Sequence, residues 1–290
     1  MKNKIGFIGI GLMGHSMAMH LLNAGNELYI FSRTKSKAED LIAKGAIWCE
    51  NAKEVAEKVE MLFTIVGFVK DVESVYLGKD SILEGAHSGL LCCDMSTTSP
   101  SLMLTIGEKL KAKGTAFMDA PVSGGDVGAR NATLSIMVGS SDEDFERALP
   151  FLSIMGKSIN LQGPLSSGQQ TKMCNQITIA GTMIGMCEAL VYAAKANLDL
   201  TAMINTISKG AAGCWSLDNL APRVIKGDFN PGFMISHFVK DMSIALDECE
   251  KMDIFLPGLT LVKGIYKGLI DYGYEENGTQ ALVKAISGNY

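Results

Sequence analysis

Within its first fourteen residues the chain carries Gly9-Ile10-Gly11-Leu12-Met13-Gly14, a G-x-G-x-x-G spacing directly after the apolar run Ile5-Gly6-Phe7-Ile8. The run reads as a buried strand, and residues from about 13 to 24 place apolar side chains at helical spacing. A strand that turns on glycines into a helix leaves the first helical N–H groups unpaired, and these suit a pyrophosphate. Gly9 permits the tight turn, Gly11 lets a phosphate approach the backbone, and Gly14 lets helix and strand pack closely. A plain glycine turn is the alternative; the strand before it and the helix after it favour dinucleotide binding.

The alternation continues. Residues 28–31, 61–66, 90–95, 116–119, 135–138 and 159–161 read as further strands, with a polar helix over 35–44 and helical patterns between most of the others. This order predicts a parallel sheet covered on both faces. After about residue 165 no strand-like alternation occurs. Residues 168–197 lack proline and read as one helix of roughly 40 Å, followed by helical patterns over 202–208, 217–225, 235–252 and 259–272. The reading is therefore α/β over residues 1–163, a doubly wound sheet, and all-α over residues 164–290, with the boundary near Gly163-Pro164. Gly181 and Gly185 lie four apart on the long helix and fit close packing against another domain or subunit.

Composition excludes several classes. With 290 residues, 47% hydrophobic and 20% charged, the chain can bury a sizeable core and is not of disordered type. A net charge of -5 and the lack of any basic run argue against a nucleic-acid partner. The seven cysteines are odd in number and form no C-x-x-C, so reduced, mostly buried thiols are expected. No charged segment followed by an apolar stretch opens the chain, and the weakly polar run 177–187 is too short to span a bilayer. A cytoplasmic protein with no membrane partner is the expectation. His15, His20, His87 and His237 show no metal-ligand spacing, so no metal site is expected. His15 could graze a phosphate or lie on the surface, and Trp215 could line a substrate pocket or pack between helices. The methionines recur mainly at helical spacing and read as core.

The end of the second strand indicates which dinucleotide binds. An acid there would accept from a ribose 2′-hydroxyl; the chain instead has Ser32-Arg33-Thr34, with Lys35 and Lys37 close behind. A guanidinium stands where a 2′-phosphate would lie, which predicts NADP as cofactor, with NAD possible. Further on, Asp119-Ala120-Pro121-Val122-Ser123-Gly124-Gly125 follows a strand. Its Ser-Gly-Gly turn either offers a hydroxyl and backbone N–H groups to a carboxylate or simply meets the need for left-handed backbone angles. Lys172 and Asn175, three apart on the long helix, share a face and could address one small molecule.

These motifs together closely resemble the β-hydroxyacid dehydrogenases, the group of 3-hydroxyisobutyrate dehydrogenase and tartronate semialdehyde reductase. The likeness runs through the glycine turn with Met17-Ala18, Asp119 to Gly125, Gly168-x-x-x-Lys172-x-x-Asn175 and Lys240-Asp241. The resemblance implies a Rossmann domain, a long interdomain helix and an all-α C-terminal domain that helps to form a homodimer or homotetramer. It implies Lys172 as the catalytic lysine, Asn175 as a substrate-orienting residue, and Ser123, Gly124 and Gly125 as binders of a small carboxylate substrate. For the cofactor it implies Thr97 near the nicotinamide ribose, Val66-Gly67 beside the adenosine half, and Lys240 closing over the nicotinamide. Two departures stand out: His20 where an asparagine is usual, and Ser166-Ser167-Gly168 where the family has G-x-G, a change expected to move Lys172 slightly.

Hydride transfer to an aldehyde puts negative charge on its oxygen, so a proton donor must lie within reach. A lysine ammonium can stabilise and protonate that alkoxide, and a neutral lysine can take the proton back. Because free lysine titrates at about 10.4, burial and nearby cations are expected to lower the value. The expected activity is an NADP-dependent interconversion of a short β-hydroxyacid and its semialdehyde, 3-hydroxyisobutyrate first. Tartronate, succinic or glyoxylic semialdehyde reduction are the alternatives, and an NADP(H)-binding sensor without turnover is the non-enzymatic one.

Overall fold

A computed structural model describes residues 2–288. The chain divides into two compact units, Met1–Lys172 and Met173–Tyr290.

The first unit opens with β1 (Lys4–Ile8), α1 (Gly14–Asn23) and β2 (Glu27–Phe31). The segment expected as one polar helix starts as a 3-10 turn over Lys35–Ala38 and becomes α2 only at Glu39–Ala43. Then come β3 (Ile47–Trp48), α3 (Ala52–Ala56), β4 (Met61–Thr64), α4 (Val69–Leu77), α5 (Ile82–Gly85) and β5 (Leu91–Asp94). The unit continues with α6 (Pro100–Lys111), β6 (Ala116–Asp119), β7 (Val122–Ser123), α7 (Gly125–Arg130), β8 (Leu134–Gly139), α8 (Asp142–Met155) and β9 (Gly156–Gly163).

The strand order is β3-β2-β1-β4-β5-β6-β8-β7, with β9 paired to β8. From β3 to β6 every pairing is parallel, in the doubly wound order. Beyond β6 the parallel sheet becomes mixed. β8 runs antiparallel to both β6 and β7, and β9 is parallel to β8. The physical reason is the connection: β6 is joined to β8 through the short β7 and α7 and not through a full crossover helix.

Alternation along the central strands fills two cores. Ile5, Phe7, Met61, Phe63, Leu91 and Cys93 face one, with Met17 and Leu21 of α1 and Ala148 and Leu152 of α8. Ile8, Leu62 and Cys92 face the other, with Val55, Val72 and Ile106 from α3, α4 and α6. The adjacent Cys92 and Cys93 therefore point into different cores as free thiols. Burying a single side chain of this size contributes about 1.5–3 kcal/mol.

The long helix α9 (Ser167–Lys195) begins in the first unit. By length and composition it could cross a membrane, with a mean hydropathy of 1.6 over its most apolar window. The stretch 177–187 considered alone understates this. On it Met173, Ala180, Met183, Cys187 and Leu190 are buried.

In the second unit α10 (Leu200–Ile207) is capped by the Asp199 carboxylate, which accepts from Ala202 N–H. The expected helix over 217–225 is two helices, α11 (Trp215–Asn219) and α12 (Ala221–Ile225), because Pro222 has no N–H to continue the ladder and starts the second instead. α13 (Ile235–Lys251) and α14 (Pro257–Asp271) follow, then α15 (Leu282–Ser287), which the apolar spacing did not reveal.

Candidate active site

The glycine turn has the shape the spacing predicts. Gly9 has φ +103, and a Cβ there would run into the Ile65 carbonyl oxygen. A Cβ on Gly14 would strike the Gly9 carbonyl oxygen, whereas one on Gly11 would meet nothing within 4 Å. The middle glycine thus leaves open space, which fits a pyrophosphate against the backbone. Gly9, Ile10 and Gly11 line a cleft of about 400 Å³ with Ser32, Arg33, Thr34, Val66 and Gly67. Arg33 points an Nη1 at Asp71 Oδ1, 3.0 Å away, and its side chain is 79% exposed. Asp71 also accepts from Phe68 N–H, so its carboxylate is anchored at the start of α4. Leu12 of the turn is exposed and Met13 half-buried, both outside that lining.

The loops after β4 and β5 are tied together by hydroxyls. Thr64 and Ser96 both donate to Asp94 Oδ1, at 2.6 and 2.8 Å, and Ser96 Oγ accepts from Val66 N–H at 2.9 Å. Thr97 is held from both sides: Gln169 donates from Nε2 to the Ser96 carbonyl at 2.8 Å and accepts at Oε1 from Thr98 N–H at 3.1 Å. Buried Gln169 thereby fixes the Val66 and Thr97 loops to the start of α9.

Asp119, at the end of β6, caps the start of that helix. Its Oδ1 accepts from Ser166 N–H and its Oδ2 from Gln169 N–H, each at 2.7 Å. Gly139 and Gly168 make the approach possible, since a Cβ on either would collide with the Asp119 carboxylate. Burial pushes the Asp119 carboxyl up to about 7, against the pull of the two N–H donors, and the Asp94 carboxylate adds to the rise.

Lys172 follows a turn and a half later. It is buried, with 6% exposure, and donates from Nζ to the Val122 carbonyl at 2.8 Å. The next residues are Ser123, Gly124 and Gly125, so the lysine is held beside the Ser-Gly-Gly turn. The two departures have structural answers. Ser166 takes φ +80, a left-handed conformation that favours the family's glycine. Its N–H bond to Asp119 holds it there. His20 Nε2 lies 3.1 and 3.0 Å from the Ala129 and Arg130 carbonyls and donates to the end of α7, which begins at Gly125. His15 pairs with Asp40 at 2.8 Å as a surface residue.

In the second unit Asn175 donates from Nδ2 to Gln176 Oε1, and Lys240 pairs with Asp241 Oδ1 at 2.9 Å. Trp215 is exposed at the first turn of α11. Among the described residues no group of His, Cys, Asp or Glu is arranged to hold a metal ion. Residue types alone did not single out Gln169, Ser96 or the capping role of Asp119. The spacing of Gln169, three before Lys172, was the available signal.

A glycine turn opening a cleft, and a buried lysine beside a Ser-Gly-Gly turn, suit a nicotinamide-dependent oxidoreductase. Residues 4–163 match the family described as the NAD binding domain of 6-phosphogluconate dehydrogenase. Residues 166–286 match that described as the NAD-binding region of NADP-dependent 3-hydroxyisobutyrate dehydrogenase. An Arabidopsis thaliana protein named probable 3-hydroxyisobutyrate dehydrogenase-like 1, mitochondrial, is 46% identical over 98% of this chain and 85% of its own. The 2-hydroxy-3-oxopropionate reductase of Escherichia coli is 35% identical over 98% of this chain and 97% of its own. The structure of Mycobacterium tuberculosis 3-hydroxyisobutyrate dehydrogenase with L-serine superposes with a TM-score of 0.90, at 28% identity over 99% of both chains. The chain belongs to the β-hydroxyacid dehydrogenase family and is an NAD(P)-dependent oxidoreductase.

Proposed function

We propose that the protein is an NADP-dependent dehydrogenase of a short β-hydroxyacid, with 3-hydroxyisobutyrate the first substrate, and that Lys172 is its general acid and base. The observation that carries the reading is the buried Lys172 Nζ, bonded to the carbonyl of Val122 immediately before Ser123. Gly9 to Gly14, Ser32 to Thr34, Val66, Gly67, Thr97 and Lys240 would hold the cofactor. When bound, the nicotinamide donates or accepts the hydride.

Ser123, Gly124 and Gly125 take the substrate carboxylate, which leaves the oxygen on the reacting carbon for Lys172. In reduction the ammonium stabilises the developing alkoxide and gives it a proton from Nζ; in oxidation the neutral amine takes that proton back. Asn175 orients the same molecule. Fixing two points of so small a substrate turns the encounter into an effectively intramolecular step.

The preference for NADP rests on Arg33 at the end of β2, where no acid stands to bind a ribose 2′-hydroxyl. The similarity to the reductase from Escherichia coli supports tartronate semialdehyde as the second substrate. A cytoplasmic homodimer or homotetramer, acting without membrane or nucleic-acid partners, completes the proposal. Lys172→Ala tests it against a sensor. Turnover should fall by about a thousandfold or more while the NADPH dissociation constant stays within about twofold. Full turnover in this variant would contradict the role of Lys172.

A further inference from the structure

Within the second unit a line of four side chains runs from the long helix to α13. Asn175 Nδ2 donates to Gln176 Oε1 at 2.7 Å, Gln176 Nε2 donates to Asp241 Oδ2 at 2.7 Å, and Asp241 Oδ1 pairs with Lys240 at 2.9 Å. Gln176 and Asp241 are 1% and 2% exposed, so neither exchanges these partners for water.

The carboxylate at the end gives the line its direction. Ionised Asp241 can only accept, so Gln176 must turn its NH₂ toward it. The carbonyl of Gln176 then faces Asn175, which must answer with its own NH₂. An amide that could otherwise lie in either of two flips is left with one, and its Oδ1 is the acceptor that remains. Lys240, 2.9 Å from the other carboxylate oxygen, places a second donor on Asp241 and leaves Oδ2 to accept from Gln176.

We propose that Gln176, anchored by Asp241, is a positioning residue for the reaction: it locks the Asn175 amide in the one orientation that offers Oδ1 to a hydrogen-bond donor of the substrate, such as its hydroxyl. This rests on the reading that Asn175 orients the substrate. Losing the line should lower turnover by freeing Asn175, with little change in how tightly the carboxylate or the dinucleotide is held. Gln176 needs no contact with the substrate.

A double-mutant cycle on the full-length enzyme separates this role from mere packing. Asn175→Ala, Gln176→Met and the double variant are compared in kcat and KM for the hydroxyacid, with NADPH affinity by fluorescence titration and thermal unfolding on the same samples. Gln176→Met should lower kcat by about tenfold in the native background and by less than about twofold when Asn175 is already alanine. KM and NADPH affinity of Gln176→Met should stay within about twofold of the native protein. Asp241→Asn keeps the shape but removes the acceptor-only anchor. It should repeat the pattern even if Gln176→Met folds poorly.

An equal loss of kcat from Gln176→Met and Asp241→Asn in both backgrounds would overturn the proposal, as would an unchanged kcat in the native background. If Asn175→Ala itself left kcat and KM unchanged, the reading of Asn175 as a substrate-orienting residue would fall, and the proposal with it. That arm is distinct from the other two.

Discussion

Arg33 and Lys172 are the two cations of the first unit on which the chemical reading turns, and they are held in contrasting ways. Arg33 projects into a cleft with its side chain mostly exposed and one ion pair, to Asp71. Lys172 is buried, its Nζ bonded to Val122, on a helix whose start is fixed by Asp119 and Gln169. An exposed pair is worth at most about 1 kcal/mol, so the Arg33 end tolerates exchange. The Lys172 end does not, because each buried partner removed leaves a polar group unsatisfied at about 1–3 kcal/mol. Selectivity for the dinucleotide should be easy to alter without harming the fold, and turnover should not.

The largest effect on stability is expected where the capping carboxylate is removed. Asp119→Ala orphans the Ser166 and Gln169 N–H groups and should cost about 2–4 kcal/mol, read by denaturant unfolding, with kcat falling by about tenfold or more as Lys172 loses its fixed place. A kcat within twofold of the native value would break the comparison at its rigid end.

Asp119 also gives that end a pH signature. Its folded carboxyl is pushed up to about 7, whereas in the unfolded chain an aspartate titrates near about 3.9. Between those values the folded protein keeps a proton that the unfolded chain releases. The stabilisation is therefore full below about pH 4 and is lost as pH rises through about 7. Melting temperature measured from pH 5 to 8 should fall more steeply for the native protein than for Asp119→Asn. Parallel curves would contradict this.

At the exposed end Arg33→Ala should raise KM for NADPH by about tenfold and KM for NADH by less than about twofold, with no loss of melting temperature. Equal changes in both would remove Arg33 as the selecting residue. The smallest effect concerns the connection into α9. Ser166→Gly relieves a left-handed serine and should stabilise the protein by about 1 kcal/mol, seen as a rise in melting temperature.

The same contrast governs what could be read from residue order alone. The glycine turn, the seven longer strands and α9 are local patterns with a period, and Ile5, Leu62 or Met183 declare themselves by spacing. β3 and β7 have two residues each, too few for any alternation to show. The antiparallel turn at β8 depends on where α7 returns the chain, which no single segment records. The motif around Asp119 was visible but not its purpose, since its partners Ser166 and Gln169 lie 47 and 50 residues away. Gln176 and Asp241 likewise meet across 65 residues. Lys172, Ser123 and Asn175 were singled out because the family's motifs carry them.

Initial rates on the purified protein test the account most directly: 3-hydroxyisobutyrate, glycerate, 4-hydroxybutyrate and serine, each with NADP and with NAD. The account predicts one dominant pairing, 3-hydroxyisobutyrate with NADP, with kcat/KM at least about tenfold above the same substrate with NAD. Tight NADPH binding with no turnover of any substrate, or a preference for NAD throughout, would contradict it.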